Sequence, residues 1–131
     1  MSKRPVLESE IQRQILAEIG AEPGFLLLKN SVGVATHYNA EGGAWKVPYG
    51  LGVSSPDLVG ILKARFRTND VLGTPRTFGV WVCMEVKVPG EDATEEQSRL
   101  HHMWRGFGAL VYVVHSAAEA IDALNDARGQ L

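Results

Sequence analysis

Cysteine, excess charge and long apolar runs are all scarce in this sequence. Cys83 is the single cysteine among 131 residues, which excludes an internal disulfide framework and fits a reducing compartment. The first ten residues lack the apolar core of a signal peptide, and no apolar run is long enough to cross a bilayer. We therefore expect one domain spanning residues 1–131, with a cytoplasmic location and no membrane partner.

The charge balance is slightly negative, with a formal net charge of −2 at pH 7. Such a balance argues against a protein that coats nucleic acid without specificity. It does not exclude an enzyme of nucleic acids, because the carboxylates of a metal site add negative charge of their own. The densest basic cluster holds Lys63, Arg65 and Arg67 and is followed by Arg76. Two interpretations stay open for it, a solvated hairpin and an arm that contacts phosphates.

The hydrophobic pattern predicts a mixed α/β domain. Apolar residues at helical spacing predict helices over 6–20, from Thr94 to Gly106 or Gly108, and after Ser116. Apolar stretches predict strands over 25–32, 56–66, 79–88 and 109–115, with an irregular or hairpin-like segment over 33–52 and a loop over 67–78. The order α-β-β-β-α-β-α predicts a mixed central sheet flanked by helices. The β-branched content of residues 79–88 favours a central place in that sheet.

The second predicted helix has a defined start and an apolar side. Thr94 and Gln97 have the spacing of a capping box, in which each side chain bonds to the main chain of the other. The apolar face is predicted to consist of Leu100, Met103, Trp104 and Phe107.

The first predicted helix places one of two glutamates toward the interior. Its apolar residues are Leu7, Ile11, Ile15 and Ile19. At about 100° per residue, Glu8 falls inside the arc of these residues, whereas Glu10 falls on the polar side. The helix dipole would favour either glutamate at this end, but the wheel predicts Glu8 as the acidic residue that faces the interior.

Two charged residues interrupt the apolar strand "WVCMEVKV". Glu85 and Lys87 lie two apart, so their side chains share one face of the strand. Such residues are seldom buried unless they are paired. One interpretation is a Glu85–Lys87 ion pair near the end of the strand. The other is a functional site to which the strand delivers both groups.

Asp57 lies at the start of another apolar strand, directly after Pro56. It can be an ordinary turn residue. If the two strands are neighbours, however, Asp57 and Glu85 can converge, and two close carboxylates repel unless a cation lies between them. Mg²⁺ prefers oxygen ligands of this kind, so the pair predicts a magnesium-type site.

The remaining candidate ligands are weaker. His37, His101, His102 and His115 show no zinc-like spacing, and we expect all of them at the surface or at the edge of the core. Cys83 shares the face of Glu85, but a cysteine within a strand is usually a small apolar residue.

Taken together, these segments resemble a known pattern. The stretches "SSPDLVGIL" and "MEVK" resemble the signature of PD-(D/E)xK nucleases. With "ESEIQRQIL" before them and "GALVYVVHS" after them, they are similar to the VRR-NUC family of that superfamily over residues 7–124. The connection "KARFRTNDVLGTPRTF" is longer than is usual in the family, and residues 33–52 have no counterpart motif.

The resemblance implies a fold and a role for each matching residue. The fold would be that of restriction endonucleases. Asp57 and Glu85 would bind Mg²⁺ or Mn²⁺ together with the main-chain carbonyl of Val86. Glu8 would bind the ion directly or through water. Lys87 would orient the attacking water or stabilise charge on the phosphate, and Gln97 would support the site or serve only as a capping residue.

The activity implied is metal-dependent hydrolysis of DNA phosphodiester bonds, with a four-way junction or flap as a plausible substrate and a homodimer as the expected assembly. Two other classes stay open. One is a nuclease fold without catalysis that binds DNA or serves in assembly, and the other is a small metal-dependent hydrolase of free nucleotides.

Overall fold

The computed structural model describes residues 4–67 and 75–131, and for Phe66 and Arg67 it describes the main chain alone. Within these residues the helices are α1 (Glu8–Ile19), α2 (Glu95–Gly106) and α3 (Ala117–Gly129). The strands are β1 (Phe25–Lys29), β2 (Gly33–Tyr38), β3 (Ala44–Tyr49), β4 (Leu58–Arg67), β5 (Pro75–Val86) and β6 (Leu110–Val114). None of the described helices is long and apolar enough to span a membrane.

The strands form a four-stranded mixed sheet in the order β1-β4-β5-β6 and a separate hairpin of β2 and β3. β1, β4 and β5 pair antiparallel, and β6 pairs with β5 in parallel after the connection through α2. The predicted mixed α/β class and the interior place of β5 are therefore confirmed. Residues 33–52 form the hairpin alternative, so the described chain has two more strands than the predicted order.

The prediction is wrong at the end of the first strand and at the start of the second. The strand predicted over 25–32 ends at Lys29, because Asn30 forms its hydrogen bonds with the loop that precedes β4. The strand predicted over 56–66 begins at Leu58, after that loop. The main-chain N–H of Asn30 still bonds to the carbonyl oxygen of Asp57, so the side-chain bonds of Asn30 join the end of β1 to the loop before β4.

The central strand is also displaced from its predicted bounds. The prediction was 79–88, whereas β5 begins at Pro75 and ends at Val86. Residues 75–78, predicted as loop, pair with the far end of β4, so pairing overrides the local turn signals. The rest of the predicted loop, residues 68–74, lies outside the described residues.

The core lies between one face of the sheet and the helices α1 and α3. Its residues are Ile11, Ile15 and Ile19 of α1; Phe25, Leu27, Leu58, Leu62, Val82, Met84, Val86 and Val114 of the sheet; and Ala120, Ala123, Leu124 and Ala127 of α3. Alternate residues of β5 reach this face, as the two-residue period of a strand requires. The prediction for Leu7 is wrong, because Leu7 is the N-cap of α1 and is 51% exposed.

The second helix lies against the opposite face of the sheet. Residues of α2 that are four apart point at this face, and they are polar: Gln97 and His101 lie at Glu85, and Arg105 donates to the carbonyl oxygen of Val111 at 2.6 Å. The helix is therefore held by polar contacts with a buried carboxylate and a strand carbonyl.

The predicted apolar face of α2 is buried only in part, since Trp104 packs edge to face against Trp81 of β5 while other members lie at the surface. Met103 and Phe107 are 50% and 89% exposed, and Leu100 and Trp104 are half-buried. A helical wheel ranks apolar residues as interior. It has no means of showing that a buried carboxylate on the sheet attracts the polar side as well.

Candidate active site

The pairing of β4 with β5 places Asp57 and Glu85 side by side. Leu58 lies opposite Met84 in this antiparallel ladder, so the residue before Leu58 and the residue after Met84 lie across from each other. Residues directly opposite in an antiparallel pair have their side chains on the same face. The structure therefore brings the two carboxylates together on the face that is turned away from the apolar core.

Asp57 is held by one strong hydrogen bond and lies in an electrostatically unfavourable place. Its Oδ2 accepts from the main-chain N–H of Val86 at 2.8 Å. Burial raises the pKa of Asp57 to about 6; the Val86 bond lowers it in part, whereas Glu85, through hydrogen bonding and charge, and Glu8, through its charge, raise it further. Part of the charge that opposes ionisation of Asp57 thus comes from the two other predicted acidic residues.

The loop that carries Asp57 is fixed by Asn30. The side-chain amide of Asn30 donates to Ser55 Oγ at 2.7 Å and to the carbonyl oxygen of Pro56 at 2.9 Å. Its main-chain N–H donates to the carbonyl oxygen of Asp57 at 2.8 Å. Its Oδ1 accepts from the N–H of Leu51 at 3.3 Å. Nothing in the local sequence distinguishes Asn30 as a bridging asparagine from an ordinary turn asparagine, so its role is visible only in the fold.

Glu85 is buried, with 2% of its surface exposed. Its Oε1 accepts from Gln97 Nε2 at 2.8 Å. Gln97 also forms the capping box with Thr94, since its Oε1 accepts from the Thr94 N–H and its own N–H donates to Thr94 Oγ1. The predicted capping box is confirmed, and the same Gln97 side chain also bonds to Glu85.

His101 lies in the site, contrary to the expectation that it is at the surface or at the core edge. It is 1% exposed, and its Nε2 lies 3.6 Å from Glu85 Oε2. That distance is too long for a hydrogen bond. The signal that could have located it is its spacing of four from Gln97, which puts both residues on one face of a helix.

The two glutamates at the start of α1 are in different environments. Glu10 accepts from the main-chain N–H of Leu7 at 3.4 Å and forms an ion pair with Arg4, and this hydrogen-bonded pairing with Arg4 lowers the pKa of Glu10. Glu8 is half-buried and close enough to Asp57 for its charge to raise the pKa of that residue. The structure thus places Glu8, rather than Glu10, toward the carboxylate pair.

Lys87 follows the last residue of β5 and is half-buried. Its main-chain N–H donates to the carbonyl oxygen of Val114 at 3.0 Å, which extends the pairing with β6 by one residue. Among the described residues, the polar side chains near Glu85 are Gln97, which donates a hydrogen bond to it, His101 and Asp57. The Glu85–Lys87 ion pair considered above is not formed there.

The donor set fits a hard divalent cation through two carboxylates. Within residues 4–67 and 75–131 no three His, Cys, Asp or Glu side chains come together as a ready metal cluster. Asp57 and Glu85 do adjoin each other, and Glu85 Oε2 is buried without a hydrogen-bond partner. A pair of close carboxylates with an unsatisfied oxygen suits Mg²⁺ or Mn²⁺.

Comparison of the chain with protein-family models, with curated protein sequences and with solved structures yields no match.

We predict that Asp57→Asn stabilises the metal-free protein at neutral pH. The folded protein holds Asp57 at a pKa of about 6, against an ordinary value of 3.8, so ionisation opposes folding as the pH rises between these values. The gain should be on the order of 1 kcal/mol, because solvent partly screens a half-buried group. Below the ordinary pKa of aspartate the gain should vanish, since the carboxyl is then neutral in both states.

Urea unfolding in EDTA at both pH values measures this difference, with Asp122→Asn on the exposed side of α3 as the control. A neutral-pH loss of stability in Asp57→Asn would contradict the repulsion described here.

Proposed function

We propose that this protein is a Mg²⁺- or Mn²⁺-dependent DNA endonuclease of the VRR-NUC type. The observation that carries the proposal is that Asp57 and Glu85 lie opposite each other where β4 pairs with β5. Lys87 follows Glu85 by two residues along the chain. An acid–acid–lysine set of this order supports phosphodiester hydrolysis. A merely structural role would not require two adjoining carboxylates with one oxygen unsatisfied.

The order of the elements supports a restriction-endonuclease-like fold. The antiparallel unit β1-β4-β5 follows α1, and α2 then leads to the parallel strand β6. In this arrangement the helix supplies Glu8, the start of β4 supplies Asp57, and the end of β5 supplies Glu85 and Lys87. The β2–β3 hairpin is an insertion between the first two strands of this unit.

In the proposed enzyme, Asp57 and Glu85 would hold the cation together with the carbonyl oxygen of Val86. Glu8, which acts on Asp57 by its charge but does not join a three-carboxylate cluster among the described residues, would support the ion through water. The ion, when bound, lowers the pKa of its water and neutralises phosphate charge. Lys87 presents a cation to the phosphate on the same strand face, and Gln97 holds Glu85 in place.

The basic cluster is proposed to contact the DNA backbone. Lys63 and Arg65 lie exposed on β4, two residues apart and therefore on one face, and β4 continues with β5 into a long hairpin. These two residues form a local positive patch, although the whole chain has a net charge of −2. Binding through such contacts should weaken as salt rises.

We predict metal-dependent cleavage that is strongest on a four-way junction or flap. With Mg²⁺ or Mn²⁺ the wild-type protein should cut branched DNA faster than duplex or single strand, and EDTA should stop cleavage. Glu85→Gln and Lys87→Ala should each lose about 100-fold or more in single-turnover rate, as expected for groups that stabilise charge at the reacting phosphate. Lys29→Ala, at the exposed end of β1, is the matched control.

The same panel distinguishes the alternatives. Binding of branched DNA without any cleavage would indicate a catalytically silent DNA-binding or assembly module. Turnover of free nucleotide with inert DNA would indicate a small metal-dependent hydrolase. Either result would reject the endonuclease proposal.

A second prediction separates the two glutamates of α1. Glu8→Gln should reduce cleavage about 10- to 100-fold, the range for a residue that supports a metal ligand set from the second sphere. Glu10→Gln should leave the cleavage rate close to wild type, because Glu10 is bound to Arg4 and to the start of the helix. Single-turnover rates of both variants decide the point, and equal losses would overturn the assignment of Glu8.

A homodimer is proposed on the outer face of the sheet. An apolar groove of about 440 Å³ is lined there by Leu51, Trp81, Trp104 and Phe107. It adjoins a second groove of about 250 Å³ through Leu51 and Trp81. The proposed occupant is a second copy, because the chain itself carries a complementary apolar arm: the β2–β3 hairpin exposes Trp45, Val47 and Tyr49 on one face. An isolated two-stranded hairpin is only marginally stable in water. Contact between the hairpin and the groove of a second copy would therefore stabilise the hairpin and bury the apolar lining of the groove.

We predict a dimer at micromolar concentration that both surfaces maintain. Phe107→Ser in the groove and Trp45→Ser on the hairpin should each weaken association by roughly 10-fold or more, since buried aromatic residues dominate interface energies. Leu131→Ser, an exposed apolar residue at the end of the chain, is the control. Sedimentation equilibrium measures the dissociation constants, and a monomeric wild type that still resolves junctions would contradict the dimer.

A further inference from the structure

Two buried polar atoms face each other without forming a hydrogen bond. Among the described residues, Glu85 Oε2 and His101 Nε2 are the buried side-chain nitrogen and oxygen atoms that have no hydrogen-bond partner. They lie 3.6 Å apart, and both side chains are 2% exposed. A buried polar group without a hydrogen-bond partner destabilises the folded protein, so such an arrangement calls for a reason.

The second helix addresses both oxygens of the Glu85 carboxylate. Gln97 donates to Oε1 at 2.8 Å, and His101, one turn later on the same helix face, points Nε2 at Oε2. The helix is anchored on either side of these two residues, by the Thr94 capping box at its start and by the bond from Arg105 to the strand carbonyl of Val111. The positions of Gln97 and His101 at Glu85 are therefore fixed by the anchored helix.

We propose that His101 is a positioning residue for the metal site. Its Nε2–H donates to Glu85 Oε2 once the carboxylate takes its ligand position, which requires the two atoms to approach from 3.6 Å to about 2.9 Å. An ionised carboxylate has about four lone-pair sites. Gln97 and His101 would occupy two of these lone-pair sites, and the remaining sites would be free to bind the ion beside Asp57. This inference rests on the proposed function, because it assigns His101 to the same cation site.

The competing explanation is that His101 only fills space beneath α2. The two explanations predict different metal affinities for a variant with an aromatic ring that has no nitrogen at position 101. His101→Phe keeps the ring and removes both the donor and the unsatisfied atom, so the metal-free protein should melt no lower than wild type. A space-filling role predicts unchanged metal affinity in that variant, whereas a positioning role predicts weaker binding despite retained stability.

The experiment measures Mn²⁺ binding to the full chain by titration calorimetry, with thermal melts in EDTA on the same samples. We expect His101→Phe to bind Mn²⁺ about 10- to 100-fold more weakly, as for other residues that orient a metal ligand. His101→Gln, whose amide nitrogen reaches a position similar to Nε2, should restore binding close to wild type. His102→Phe, the exposed neighbour on α2, should leave binding unchanged.

Each outcome bears on one proposal or the other. If the wild-type protein binds no Mn²⁺, the proposed function fails and this inference fails with it. If the wild type binds but His101→Phe binds equally well, or His101→Gln is as weak as His101→Phe, the positioning role alone is overturned. Should His101→Phe fail to fold by circular dichroism, His101→Leu takes its place with the same expectations.

Discussion

The antiparallel register of β4 against β5 is the constraint on which the site depends. With Leu58 opposite Met84, apolar residues of both strands face α1 and α3, while Asp57 and Glu85 meet on the other face. A shift of β5 by one residue would turn its side chains to the other face, which would move Glu85 into the apolar core and separate it from Asp57. The hydrophobic effect that builds the core thus also enforces a repulsion between carboxylates, because the same pairing determines both.

The burial of Glu85 also involves the second helix. A buried carboxylate needs hydrogen-bond donors; Gln97 of α2 donates to one of its oxygens, and His101 lies 3.6 Å from the other. On the same face of the sheet, Trp81 of β5 and Trp104 of α2 pack edge to face at 6.1 Å. Met103 and Phe107 of α2 remain 50% and 89% exposed.

Sequence periodicity predicted the helices, the four sheet strands and the interior position of β5, because each depends on local apolar spacing. The proximity of Asp57 and Glu85 was expected only if their strands are neighbours, and the pairing of β4 with β5 meets that condition. Periodicity was less successful for α2, where Gln97 and His101 also face the sheet. It also failed for Asn30 and His101, because a residue that bonds across 25 positions of sequence, or buries a ring against one carboxylate, leaves no periodic trace.

Asn30 gives the molecule a mechanical connection. One side chain bonds to the loop before Asp57 and to the N–H of Leu51, and it stands where β1 ends and the chain departs for the β2–β3 hairpin. Gly50, at φ +84°, sits against the main chain of Ser31 and Val32, so both ends of the hairpin are tied at its root. Asn30 therefore joins the root of the hairpin to the segment that carries Asp57, so the position of one half of the carboxylate pair and the attachment of the hairpin depend on the same side chain.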